Sequence, residues 1–434
     1  MNTLQENSGT FKVQDLVEEL QIGIENLKPE PLFFKCSIYR VPEKIRCTKE
    51  NAYTPQLVSI GPLHNRQHTH LVDMEETKKR YMKSFLGRIS TEKRDKILAF
   101  IMKNEQEIRN CYVETSKLDS KEFVMMIMYD AIFIIELFLR SKSGRDRASD
   151  SLLAITAIRR TLCIDLELLE NQLPYFVLEE MYKLANLVGR QIPCSFMELS
   201  RSFFGYFSKQ SLAIPRGFTV KHFCTWRRNT LLEGYRSSVL ESKGWITDLP
   251  SAVKLKESGV RFKSVEGECL LNIKFEPVKG LIPCFKKYEL QIPRLEIFHS
   301  TERQLRNIVA LEQCSFPLDT PVCNYIKIMD YLIDTEKDVD LLVGKGVISN
   351  HLGDNASVAK MFNRLTENIH LSISSSFKCC EDLKAHYNNP WNKRKATLKS
   401  VYFSNPWRGA GTLAAIALLL FTAIQTICST MQVV

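Results

Sequence analysis

Apolar residues along much of the chain recur every three or four positions, the spacing of one helix face. Met74 to Ile89 opens with acids and continues with bases, which suits the dipole of a helix. Thr91 to Cys111 carries Ile97, Phe100, Ile101, Ile108 and Cys111 at helical spacing. Phe123 to Leu139 is apolar almost all round, which predicts a central helix with Leu137 and Phe138 buried. Ser149 to Glu170 reads as a further helix, and Pro174 starts another through Leu184 from its tolerated first-turn position. Helical spacing returns at Glu302 to Glu312, Tyr325 to Ile333, Val339 to Lys345 and Ala356 to Ile369.

Elsewhere the period changes. Cys269, Leu271, Ile273 and Phe275 alternate until Pro277 and Gly280, and Tyr288, Leu290 and Ile292 alternate until Pro293. This predicts a small antiparallel sheet of three strands within 259–298. Ser195 to Phe218 mixes aromatics with Gly205, Pro215 and Gly217, and reads as a less regular link between two halves. Ile38 to Leu63, punctuated by Pro42, Pro55 and Gly61-Pro62, reads as extended loop. The first 36 residues are polar apart from a short amphipathic piece, Val13 to Leu20, that suits a peripheral helix. The fold expected is mainly α with a small antiparallel β-sheet: a polar segment 1–36, one large helical domain 37–403, and an apolar helix 409–428.

That last helix sets the expected location. Gly409 to Cys428 is twenty residues without a charge. At ~1.5 Å per residue it spans about 30 Å, the hydrocarbon thickness of a bilayer. Tyr402 and Trp407 precede it, where interfacial aromatics belong. A buried helix closing a soluble domain is the other reading, and length and flanks favour the membrane. Half of the net charge of +10 lies in Lys393, Arg394, Lys395, Lys399 and Arg408, with no acid after Asp382. By the positive-inside tendency, the N-terminal part then faces the cytoplasm, as in a tail-anchored protein. The rest of the chain interleaves both signs and shows no nucleic-acid module, so the expected partners are a bilayer and an unidentified protein. Thirteen scattered cysteines and a polar start, Met1 to Asn7, suit a reducing compartment.

Candidate chemistry is sparse. His64, His68 and His70 could hold zinc, but lack an acid or cysteine at a diagnostic spacing and read as solvated loop histidines. Cys36 with Cys47, and Cys379 with Cys380, lack nearby ligand partners. Glu136 lies in an apolar run, where desolvation could tune it as a general acid. The commoner use of such a carboxylate is a structural pair with an arginine. Asp165, Glu167 and Glu170 with Asn171 crowd a helix end and read as a structural polar network. Gly344-Lys345-Gly346 lacks the glycines of a phosphate loop, and no Gly-x-Ser-x-Gly elbow occurs. Asn355-Ala356-Ser357 is a formal glycosylation sequon in which Asn355 reads as a helix cap. No residue is assigned a catalytic, cofactor-binding or metal-binding role.

Several phrases together resemble one family, the plant proteins carrying domain of unknown function 247. They include Tyr39-Arg40-Val41-Pro42, Tyr53 to Pro62 (YTPQLVSIGP) and Ile134 to Leu139. The most specific is Asp165 to Leu178 (DLELLENQLPYFVL), and Ile292 to Leu295, Ala310 to Gln313, Asp330 to Ile333 and Ser404 to Trp407 follow in the family's order. His64-Asn65-Arg66 departs from the family pattern of adjacent histidines and a glycine. The resemblance implies a plant protein with a helical domain, a C-terminal membrane helix and no established enzymology. Some grass relatives are linked to self-incompatibility, which suggests recognition or signalling but belongs to those members. No catalytic residue is carried over.

Overall fold

The computed structural model describes residues 36–65, 69–185, 195–205, 219–235, 244–278, 287–392, 394 and 406–433. The amphipathic piece at 13–20, His68, and most of the basic stretch at 393–405 lie outside the described residues.

Helices dominate. The first group is α1 (Val72–Leu86), α2 (Thr91–Lys103), α3 (Ser120–Lys142), α4 (Thr156–Glu167), α5 (Tyr175–Ala185), α6 (Phe196–Gly205) and α7 (Phe223–Leu231). α3 is the axis, packed against α1, α2, α5 and α6. Asp119 caps it by accepting from the Glu122 N–H at 2.7 Å, and Arg140 and Lys142 suit the dipole at its end. Leu137 and Phe138 are buried as expected. The Phe138 ring lies among Phe196, Phe203, Phe204 and Phe223, with centroids 4.5–5.9 Å away.

Three expectations shift. The helix expected over 91–111 breaks at Asn104, whose side-chain amide donates back to the Phe100 carbonyl at 2.8 Å, and resumes at Glu105–Asn110. Ser195 to Phe218 is not all irregular link, because α6 forms there and buries Phe196, Phe203 and Phe204 in the first core. The extended loop at 38–63 contains a turn of helix at Glu43–Arg46 and a 3₁₀ turn at Glu50–Ala52.

A second core forms from residues 231–383. Its strands are β1 (Arg261–Val265), β2 (Lys274–Val278), β3 (Lys287–Pro293) and β4 (Leu295–Ile297). The expected antiparallel sheet is mixed. β2 and β3 pair antiparallel as the alternation implies, but β3 also pairs parallel with β1, giving the order β1-β3-β2. With Leu290 and Ile292 fully buried, β3 takes the centre and leaves β1 only its far edge. Pro277 sits in an edge strand, where a missing N–H is tolerated.

The chain continues through α8 (Thr301–Ser315), α9 (Pro321–Leu332), α10 (Glu336–Gly344), β5 (Ile348–Asn350), α11 (Asn355–Leu365) and α12 (Phe377–Asn388). β4 and β5 form a parallel pair. Asp354, not Asn355, caps α11, accepting from the N–H groups of Ala356 and Ser357 at 3.1 and 2.9 Å. Asn355 is the first helical residue, and its amide donates to Asp340 at 2.6 Å.

A small cluster joins the two cores, with Tyr39, Val41, Ile45, Ala52 and Tyr53 packed on Leu169, Cys224, Ala310 and Leu311. Last comes α13 (Pro406–Val433), whose charge-free stretch Ala410–Ser429 is exposed along its length. It is long and apolar enough to cross a membrane.

Candidate functional site: a buried polar junction

The end of α4 is where the chain concentrates buried polar groups. A helix leaves its last carbonyls without partners, and here side chains from the following turn satisfy them. The Asn171 amide donates to the Asp165 carbonyl at 2.9 Å, and that of Gln172 donates to those of Leu166 and Leu168 at 2.7 and 2.6 Å. This explains why the helix expected to reach Glu170 stops at Glu167.

The same turn clamps the loop 53–62. The Asp165 carboxylate accepts from the N–H groups of Gln56, Leu57 and Val58 at 2.7–3.1 Å, and from Arg303 of α8 at 3.2 Å. Burial pushes its carboxyl up, against the Arg303 charge and the three N–H donors. Asn171 accepts from Ile60 N–H at 2.6 Å and donates to the Val58 carbonyl at 2.9 Å. Gly61 has φ +72°, and a Cβ there would stand 2.5 Å from the Gln172 carbonyl oxygen. Its N–H donates to Asp130 at 2.8 Å, and Lys78 donates to Asp130 and to the Ser59 carbonyl, both at 2.6 Å. Burial alone would lower the Lys78 ammonium, but Asp130 and Glu75 raise it, while burial pushes the Asp130 carboxyl up against the Lys78 charge.

Glu170 is the third buried acid. It accepts from Val41 N–H at 2.6 Å and from Arg46, with His64 Nε2 3.1 Å away and Arg40 3.6 Å away. Burial would raise its carboxyl, but the His64 hydrogen bond, the Arg46 charge and the Val41 N–H together hold it below the ordinary range. His64 is therefore buried and engaged with Glu170, not solvated as expected. His70 instead meets the Pro55 carbonyl at 3.3 Å. Among the described residues no group of three or more His, Cys, Asp or Glu is placed to hold a metal. Glu167, the remaining acid of the motif, accepts from Gln304 of α8 at 2.8 Å.

Glu136 sits apart from this junction. It accepts from Arg140 at 2.8 Å, from Arg88, and from Ser84 at 3.3 Å. Arg140 also reaches Asp150 at 2.8 Å, which takes the Tyr81 hydroxyl proton bond at 2.7 Å. The arginine partnership expected of a structural carboxylate is what the side chain has.

The two phrases DLELLENQLPYFVL and YTPQLVSIGP, distant in sequence, are thus one object in space. A profile of the DUF247 family, described as plant proteins of unknown function, matches residues 38–421. The chain belongs to this family. It is 27% identical over 429 residues to UPF0481 protein At3g47200 of Arabidopsis thaliana, covering 90% of this chain and 85% of that one. It is 22% identical over 488 residues to the putative UPF0481 protein At3g02645 of the same plant, covering 90% and 89%. No solved structure matches the chain.

Sequence reasoning missed Asp130, Lys78, Arg303 and Asn307 as parts of this DUF247 junction. Asn307 accepts from Leu169 N–H at 3.0 Å and donates to the Ala52 carbonyl at 2.9 Å. Asp130 left a signal, a charge on an otherwise apolar helix six residues before Glu136. The other three lie on faces whose partners are remote in sequence. Chemically, the junction binds backbone and compensates charge. Its carboxylates are each occupied by N–H donors or cations.

Proposed function

We propose that this protein is a membrane-anchored interaction or signalling module, with α13 in the bilayer and the body of the chain on the cytoplasmic side. The exposed, charge-free α13 window carries this reading: twenty uncharged, mostly apolar residues without a protein face over them suit a non-aqueous surrounding. The cations before α13 support the cytoplasmic orientation. The interaction role draws on a surface feature of the second core. Gly244 and Ser374 form a bridge that brings the next residues, Trp245 and Ile373, alongside one another, and both are more than half exposed. Leu318, 91% exposed, lies two residues from Thr320, which bonds Ser372 at 2.9–3.0 Å. Clustered apolar side chains of this size suit a protein contact. The groups put forward as catalytic candidates, Glu136 and His64, support the same reading because both are committed to internal partners.

The test is extraction and protease treatment of intact plant microsomes carrying the full chain. The chain is expected to stay in the pellet at alkaline pH and to lose its N-terminal body to external protease. Release by alkali would overturn the anchor, and protection of the body would overturn the orientation. Proximity labelling from the same chain identifies neighbours, and Trp245→Ser with Ile373→Ser should remove them without changing location.

A further inference from the structure

α12 is the last helix of the body, and its charges are matched. Lys378 meets Asp382 at 2.7 Å, and Lys384 meets Asp248 and Glu381 at 2.8 and 2.6 Å. Beyond α12 the matching stops. Lys393, Arg394, Lys395, Lys399 and Arg408 follow with no acid anywhere after Asp382.

The turn after α12 holds an exposed aromatic at the head of this cationic run. The Asn389 side chain accepts from the Trp391 N–H at 3.0 Å with Pro390 between them, as a cap and a first-turn proline do at a helix start. The Asn392 amide ties the turn back to α12 by donating to the His386 carbonyl at 2.9 Å. Trp391 is 64% exposed, with the Arg394 guanidinium 5.7 Å from its ring centroid. Among the described residues Arg394 meets no carboxylate. Trp407, 86% exposed, stands in the first turn of α13 at the other end of the run. Both ends thus carry the side chain that favours the layer between lipid tails and water.

Reach limits where Trp391 can lie. Twelve residues lead from Arg394 to Pro406, and that length of chain spans at most about 43 Å even fully extended. We infer that the Trp391–Arg394 corner rests on the bilayer that α13 enters, held there by anionic lipid headgroups. The inference rests on the anchor reading. Each cation near an anionic leaflet gains roughly fivefold in surface preference, and the short connection keeps the corner at high local concentration beside the headgroups. The body is then seated at the membrane rather than swinging on a tether, and the seat depends on lipid charge.

The full chain is reconstituted into vesicles of brominated phosphatidylcholine, with and without phosphatidylserine, and incorporation is read first by flotation. Bromine quenches tryptophans that enter the bilayer, and Trp391→Phe and Trp407→Phe assign the signal by difference. Trp407 should be quenched in both vesicles; failure to float, or an unquenched Trp407, would overturn the anchor itself. Quenching of Trp391 should roughly double when phosphatidylserine is present. It should fall back in about 1 M salt, where the screening length is about 3 Å. Lys393→Gln, Lys395→Gln and Lys399→Gln together, which leave Arg394 beside Trp391, should abolish the rise while the chain still floats. Equal quenching of Trp391 in both vesicles, its absence from both, or a rise that survives salt or the triple change would overturn the lipid seat and leave the anchor intact.

Discussion

Asp165 and Glu136 are both fully buried carboxylates on helices of the first core, yet their partners differ in kind. Asp165 is held mostly by backbone: three consecutive N–H groups of a loop more than a hundred residues away, with Arg303 as the one cation. Glu136 is held by side chains, Arg88 and Arg140 with Ser84. The two arginine side chains remain 34% and 23% exposed, so each can turn toward water if the carboxylate is lost. The N–H groups of Gln56, Leu57 and Val58 are fixed in the path of the chain and cannot swing away as a long side chain can. A carboxylate bound to backbone therefore dictates where a chain runs, while one bound to long side chains neutralises charge between helices.

The sharpest way to break this contrast is Asp165→Ala. It strands Arg303 and three N–H groups, and should lower unfolding free energy by about 3–5 kcal/mol in urea titration of the detergent-solubilised chain. A cost below that of Glu136→Gln would refute the distinction. Gly61→Ala attacks the same loop without touching a charge. A positive φ and a Cβ against the Gln172 carbonyl should together cost about 2–5 kcal/mol, read in the same titration. A neutral result there would mean the loop can shift. Glu136→Gln should cost less, about 1–3 kcal/mol, because its shape and part of its bonding survive. At matched protein levels the labelled neighbours should not change; their loss from a stably folded chain would make Glu136 a functional group after all.

Glu170 gives the smallest effect and a pH signature. Its folded carboxyl sits below its unfolded value, so its stabilisation is present above about pH 4.5 and is lost as pH falls through the folded value. Glu170→Gln should flatten the acid limb of the stability profile. An unaltered limb would show that His64 and Arg46 do not favour the charged form.

Local pattern was enough to place most long helices, because burial on one face leaves a period that needs no partner to be seen. α3 is the clearest case: its apolar run alone marks it as central. α7 was invisible for the opposite reason. Its Arg228 and Asn229 are buried, Arg228 against Glu312 at 2.8 Å, so polar residues occupy every side and no apolar stripe forms. The antiparallel pair β2–β3 followed from alternation, but the parallel pairing of β1 depends on which edge of β3 is free, a matter of packing. In the junction, the crowding of Asp165, Glu167, Glu170 and Asn171 announced a polar network. The identity of its partners did not follow, since no spacing rule links Asp165 to Val58 or Arg303 across such separations.

The Arg303 contact also sets a clock. Asp165 and Arg303 are 138 residues apart, and at about 5–20 residues per second the ribosome takes roughly 7–28 s to supply the second after the first. During that interval the first core can close its loop on Asp165 but has no cation to set against it, and Leu169 lacks the Asn307 side chain that receives its N–H. The clamp that Asp165 and Leu169 make with α8 can therefore close only after α8 has been made.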